Sequence, residues 1–197
     1  MERWTNLTTE SAVELAERSE LDDPAAALAT PETRPEEFVA RLREEGMQAE
    51  AIAVMARALP VREAIGWACL CDRATPVDDD DGRHEALLTA VERWVREPED
   101  EHRRAALELA QNEPDQSSGQ MLGMAAGYSA GRVAVADNPP VDVPTDMIPP
   151  MVAGAVMLAA SRVEPEDVEE TRAGFLDQAV EIAARQQGGQ APGDRGR

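Results

Sequence analysis

Apolar residues recur at helical intervals along most of the chain, and strict alternation of apolar and polar residues is essentially absent. Spacings of i, i+3, i+4 and i+7 place such residues on one side of an α-helix. The clearest example runs from Leu87 to Val95, and Pro98 is expected to end that helix. The pattern therefore predicts an all-α domain of about eight to nine helices.

The segment from Val61 to Arg73 has apolar residues on most sides of the predicted helix instead of one stripe. A helix of that kind belongs in the centre of a bundle, where neighbours cover every face. We therefore expect a compact multi-helix bundle with this segment as its core helix. Paired helices with short links would also fit an irregular, HEAT-like α-solenoid, although the sequence shows no repeat of fixed period.

Prolines interrupt the helical pattern between residues 137 and 150. Proline disfavours helix at the residue before it, so this passage is predicted to be an extended or irregular connector. We expect a single helical domain over residues 1–187 that includes the connector. Residues 188–197, which are rich in glycine and polar side chains, are expected to form a disordered tail.

A stripe of glycines at intervals of four lies in the helix predicted from Gln116 to Val135. Each glycine costs a helix about 1 kcal/mol relative to alanine, so the stripe requires a compensating benefit. Close approach of another backbone would supply it, either inside the domain or at a homodimer seam. Small residues from Gly154 to Ala160 offer a matching internal surface. The stripe consists of Gly119, Gly123, Gly127 and Gly131.

The composition changes the picture in two respects. Aromatic residues make up only 3% of the chain, so the core must be built mainly from small and aliphatic side chains. The chain has 39 acidic residues against 19 arginines and no lysine, a net charge of -20, and we therefore expect no nucleic acid as a partner. The acidity has two interpretations: adaptation to salt or genome composition, and an acidic face that docks on a basic protein.

Residue types that carry catalysis or bind metals are few and unfavourably spaced. Cys69 and Cys71 would point to opposite sides of a helix, so they cannot share an ion and are expected to be buried thiols. His84 and His102 fit no zinc-binding spacing. Aligning Gly82 with the glycine of a calcium loop leaves two ligand positions apolar, so we expect a solvated acidic loop that caps the next helix. We predict no catalytic site, no cofactor, no metal and no enzymatic activity.

Neither a signal peptide nor a membrane span is predicted. The N-terminus lacks a basic region followed by an apolar core, and the longest apolar stretch, Met147 to Ala160, contains two prolines. The two cysteines fit a reducing compartment. We therefore expect a cytoplasmic protein that does not insert into membranes.

The run from Leu59 to Arg73, which contains W-A-C-L-C-D-R, is similar to the signature of an uncharacterised bacterial all-helical family. A later glycine-rich and alanine-rich helix, the proline-rich connector and a final helix with Phe175 and Leu176 resemble that family too. The resemblance covers about Leu59 to Ala184. Members of that family are often encoded near type VI secretion genes, which implies an accessory, adaptor or chaperone role and assigns no functional residues.

Two functional hypotheses follow. The first is a protein-binding adaptor or chaperone-like accessory protein of a bacterial secretion apparatus, with a secretion component or effector as its partner. The second is an immunity protein or inhibitor whose acidic surface neutralises a basic toxin, so that its binding weakens steeply with salt. Trp67, Arg73 and Trp94 are the candidate interface residues, although both tryptophans also fit core positions and Arg73 could cap helix carbonyls.

Overall fold

The computed structural model describes residues 3–77, 79, 82–114, 116–135 and 138–185. These residues contain ten α-helices and one two-stranded β-hairpin. The predominance of helix confirms the predicted all-α class, with slightly more helices than expected. The expected tail, 188–197, lies outside the described residues. The helices are α1 (Ala12–Arg18), α2 (Asp23–Ala26), α3 (Pro35–Glu44), α4 (Gln48–Ala58), α5 (Val61–Arg73), α6 (Arg83–Arg96), α7 (Asp100–Gln111), α8 (Ser118–Tyr128), α9 (Ile148–Ala160) and α10 (Val168–Ala184), and the strands are β1 (Arg132–Val135) and β2 (Asn138–Asp142).

Two helices form the centre of the bundle. The predicted core helix α5 packs against α4, α6, α8, α9 and α10. The wholly apolar helix α9 packs against α4, α5, α8 and α10 and shares this central position. One continuous apolar core includes side chains from Trp4 to Ala183. None of the described helices is long and apolar enough to cross a membrane.

The N-terminal segment joins the ends of two helices that are far apart in sequence. The backbone N–H groups of Thr5 and Asn6 donate to the carbonyl oxygen of Ala183, each at 3.1 Å. The N–H of Thr8 donates to the carbonyl oxygen of Ala58 at 2.8 Å. These bonds satisfy carbonyl groups that a helix end leaves unpaired, and they fix the C-terminal end of α10 relative to α4.

The predicted helix over residues 116–135 is shorter than expected, and Gly131 lies outside it. Helix α8 ends at Tyr128, and Gly131 adopts a left-handed φ of 68° that glycine permits without strain. Strand β1 then pairs antiparallel with β2, with Arg132 opposite Asp142. The connector predicted for 137–150 is therefore partly β-strand, and α9 already begins at Ile148, because prolines are tolerated in the first turn of a helix.

The other three glycines of the stripe do mediate close helix packing, but their main partner is α7 and not the expected Gly154–Ala160 surface. A Cβ added at Gly123 would lie 2.7 Å from the Cβ of Ala110 and 2.9 Å from the backbone oxygen of Ala106. One added at Gly127 would lie 2.6 Å from the Cβ of Leu107. Gly119 faces α6 instead. All three are buried, so the stripe serves internal packing.

We predict that Gly123→Ala lowers the free energy of unfolding by about 1–3 kcal/mol, because backbone atoms of α7 must move to admit the methyl group. Gly174→Ala is the matched control, since Gly174 lies in α10 with no atom within 4 Å of its added Cβ. That control should raise the free energy of unfolding by about 0.5–1 kcal/mol through helix propensity. Urea denaturation measures both, and a stabilising Gly123→Ala would contradict the packing argument.

Candidate functional site

An open surface groove of about 370 Å³ lies where α5, α6 and the end of α10 meet. Leu70 stands at this groove with 54% of its surface exposed, the largest fraction among the large apolar side chains of the described residues. Val95 and Ile182 contribute further apolar surface to its walls. The groove is therefore an apolar depression with an exposed leucine at its edge.

Gly66 explains why the groove exists at this point of the helix pair. It lies on the same side of α5 as Arg62 and Leu70, since the spacing is four residues. A Cβ at Gly66 would lie 3.2 Å from Cγ1 of Val95, so the glycine lets α5 and α6 approach closely. The missing side chain also leaves the floor of the groove unfilled.

The two tryptophans proposed as interface residues are buried. Trp67 is 0% exposed and Trp94 is 6% exposed. The indole Nε1 of Trp67 donates to the backbone oxygen of Phe175 at 2.8 Å, which satisfies its only polar group. This burial contradicts the interface assignment and agrees with the core interpretation. Trp67 contributes to the site by supporting the groove from beneath.

Arg73 is at the surface, but its guanidinium is already occupied. Its Nε donates to Glu92 at 2.9 Å and its Nη2 donates to Glu85 and to Glu92, each at 3.1 Å, while its Nη1 pairs with Glu85. Both glutamates belong to α6, and their hydrogen bonds raise the pKa of Arg73. Arg73 thus braces α5 against α6 and does not cap helix carbonyls.

Arginines line the groove on three sides. Arg62 comes from α5, Arg96 from α6 and Arg185 from the residue that follows α10. Arg62 lies 3.9 Å from Glu63, a long separation for an exposed ion pair. Among the described residues, no hydrogen bond or ion pair engages the guanidinium of Arg96 or that of Arg185.

A buried polar cluster lies on the other side of α5 from Leu70 and was not among the predicted features. The carboxylate of Asp72 is 1% exposed and accepts from Nε2 of His84 at 2.6 Å and from Nη2 of Arg162 at 3.1 Å. The hydroxyl of Ser118 also donates to Asp72, and Arg162 donates to Ser118. One carboxylate therefore ties α5 to α6, α8 and the end of α9.

The protonation of Asp72 follows from these partners. Burial by itself raises the pKa of Asp72, but hydrogen bonds from His84, Arg162 and Ser118 outweigh burial and lower it to about 2. An ionised carboxylate only accepts hydrogen bonds, so Nε2 of His84 carries the proton in this contact.

The cluster contains serine, histidine and aspartate, but its arrangement differs from that of a nucleophilic triad. In such a triad the histidine lies between the serine and the acid and removes the serine proton. Here Asp72 lies between Ser118 and His84, and no hydrogen bond joins those two residues in the described part of the chain. The geometry therefore fits a structural role.

The remaining candidate chemical groups are separate from one another. Cys69 and Cys71 are buried free thiols, and burial raises the pKa of both. The ring of His102 contacts the backbone oxygen of Glu97. Asp79 caps α6 as expected, since its carboxylate accepts from the N–H groups of His84 and Glu85. Across the described residues, no group of three or more His, Cys, Asp or Glu is placed to hold a metal ion.

One sequence signal pointed to the cluster. Asp72 follows Ala68 by four residues and Ile65 by seven, so helical geometry places its carboxylate on the buried stripe of α5. A buried acid requires a partner, and His84 and Arg162 were available as hydrogen-bond donors. The signal did not identify Ser118, because its position beside Asp72 depends on how α8 packs.

These features define a helical protein with an apolar surface groove and a structural polar cluster. The chain belongs to a family of unknown function, DUF6931, whose model matches residues 38–183. That region contains the whole polar cluster and every groove residue except Arg185. The match confirms that the chain is a member of an uncharacterised family. Neither a curated protein nor a solved structure matches the chain.

We predict that Asp72→Asn lowers the free energy of unfolding at pH 7 by about 2–3 kcal/mol, because Arg162 and the other donors of the cluster lose their buried anion. The folded-state pKa of Asp72 is below its usual value of 3.8. Its stabilising contribution is therefore fully present above about pH 4 and is lost as the pH falls through about 2. The difference in stability between wild type and variant should shrink over that interval.

Asp177→Asn is the control for this experiment, because Asp177 forms an exposed ion pair with Arg43 at 2.7 Å. Its removal should change stability by less than about 1 kcal/mol. Urea titrations at several pH values, followed by tryptophan fluorescence, measure both variants. Equal effects of the two substitutions, or a pH-independent effect of Asp72→Asn, would show that the cluster does not stabilise the fold as argued.

Proposed function

We propose that the protein is a protein-binding adaptor or chaperone-like accessory protein that holds its partner in the groove around Leu70. The observation that carries this proposal is the 54% exposure of Leu70 beside apolar groove walls. An exposed apolar side chain that borders a depression is typical of a protein-docking surface. Covering Leu70 with a partner would remove apolar surface from water and stabilise the complex.

The geometry of the groove favours a segment of a macromolecule over a small molecule. Pockets for small ligands usually bury most of the ligand surface. This groove is open to solvent, and Leu70 projects at its edge. Its lining residues on α5 run from Arg62 to Leu70, a length of about 12 Å, which suits roughly two turns of a partner helix.

The proposal also names a cellular setting. The sequence resembles an uncharacterised bacterial family that is often encoded near type VI secretion genes, so we place the adaptor in the cytoplasm, serving a secretion component or an effector. A proteinaceous partner agrees with the charge of the chain, because a net charge of -20 disfavours nucleic acid.

The same net charge favours a second candidate function, an immunity protein or inhibitor of a basic toxin. Such a complex would depend on acidic residues spread over the surface and on long-range attraction. Its affinity would fall steeply between low and high salt. A neutral substitution of Leu70 separates the two functions, because it removes apolar surface without changing the charge.

We predict that Leu70→Gln reduces partner binding about tenfold, since it removes one leucine from an apolar contact and leaves the net charge unchanged. Leu109→Gln is the matched control, because Leu109 is 40% exposed on α7 and does not line the groove. Each tagged protein is used to capture partners from the bacterial host at low salt and at 0.5 M salt. Quantitative mass spectrometry then compares the captured proteins.

The adaptor proposal expects a secretion component or effector that survives high salt and is lost with Leu70→Gln but not with Leu109→Gln. A basic toxin that is lost at high salt but is captured equally by the wild type and by Leu70→Gln would support the inhibitor instead. Light scattering of the purified proteins provides a further check. A dimer that dissociates in Leu70→Gln would identify the groove as a homodimer seam and contradict the adaptor proposal.

A further inference from the structure

The arginines around the groove point to the chemistry of its occupant. We infer that the groove binds a helical segment of a partner protein in which carboxylate side chains flank an apolar stripe. The inference rests on the proposed docking function and adds the charge pattern of the partner. Apolar side chains would contact Leu70 and Val95, and the carboxylates would pair with Arg96 and Arg185.

The charges at the groove support an acidic flank. Glu92 is engaged by Arg73, with Nε to Oε1 at 2.9 Å, so its charge is partly offset by a residue outside the groove that also pairs with Glu85. Glu63 lies near Arg62 and offsets that cation in part. The guanidinium groups of Arg96 and Arg185 have no partner among the described residues and leave local positive charge. An arginine guanidinium recognises a carboxylate through two parallel hydrogen bonds.

The surrounding chain restricts how acidic the partner as a whole can be. A net charge of -20 repels a strongly acidic protein at long range. The carboxylates recognised here are therefore local features of a segment whose parent protein is neutral or basic overall. Local recognition within a repulsive field also disfavours acidic helices that lack the apolar stripe.

Residues 186–197 of this chain follow directly after Arg185 but do not fit the groove chemically. They contain no large apolar side chain to contact Leu70, and their charged residues are one aspartate and two arginines. The sequence of that segment therefore supplies neither an apolar anchor nor a net acidic flank. A separate partner protein provides both.

The test is a selection from a phage-displayed library of helical peptides with randomised apolar and flanking positions. The full-length protein is the target, and Leu70→Gln serves for counter-selection, so that only groove-dependent peptides are kept. We expect these peptides to be enriched in Asp and Glu beside the apolar stripe. A selected peptide is then measured by fluorescence anisotropy against Arg96→Glu and Arg93→Glu.

Arg93 is the matched control, because it is exposed on the same helix, its guanidinium has no partner among the described residues, and it does not line the groove. Arg96→Glu should weaken binding about tenfold, and Arg93→Glu by less than about twofold. A peptide whose flanking Glu is changed to Arg should regain affinity for Arg96→Glu. Rescue of this kind separates direct pairing from a structural effect of the substitution.

The outcomes distinguish this inference from the function on which it rests. Groove-dependent peptides with neutral or basic flanks would overturn the acidic partner and leave the docking groove in place. Equal losses with Arg96→Glu and Arg93→Glu would do the same, because they would indicate general electrostatics. A selection that returns no peptide dependent on Leu70 would overturn both the inference and the proposed docking groove.

Discussion

The arrangement of the central helices depends on the hydrogen bonds that the buried carboxylate of Asp72 accepts. The carboxylate bonds to His84 of α6, to Ser118 of α8 and to Arg162 just beyond α9, so one side chain of α5 is connected to three other parts of the bundle. Burying an ion pair is costly, and its net effect on stability is often small. Its geometric demands are strict, however, because a carboxylate displaced from its donors would remain buried and unpaired. The cluster thus favours one rotation of α5, and that rotation presents Leu70 to solvent.

A core with few aromatic residues places a second constraint on the fold. Alanine and glycine allow helix backbones to approach closely, as at Gly123 against α7 and at Gly66 against α6. Such contacts fill the interior without large side chains, and every added methyl group there must displace a neighbour. A small residue also produces the groove, because the position that would fill its floor is a glycine. The core and the candidate docking surface are consequences of the same small residues.

Electrostatics act on two length scales in this molecule. The net charge of -20 sets a long-range field that is repulsive to other strongly negative molecules. At the surface many arginines are paired internally, as Arg73 is with Glu85 and Glu92, whereas the guanidinium groups of Arg96 and Arg185 have no partner in the described part of the chain. Apolar contact would then supply affinity in the groove, and the unpaired arginines would supply selectivity.

The sequence by itself determined the all-α class, the central position of α5 and the burial of its cysteines, because helical periodicity records which faces meet the core. It also identified close packing at three glycines, but not their partners, α7 for Gly123 and Gly127 and α6 for Gly119, since small residues permit contact with any neighbouring helix. Only the tertiary structure decided the hairpin after Gly131, the burial of Trp67 and Trp94, and the meeting of Asp72 with Ser118. It also formed the groove, which combines residues of α5, α6 and the end of α10. These features join residues distant in sequence, and local periodicity contains no information about which distant helices pack together.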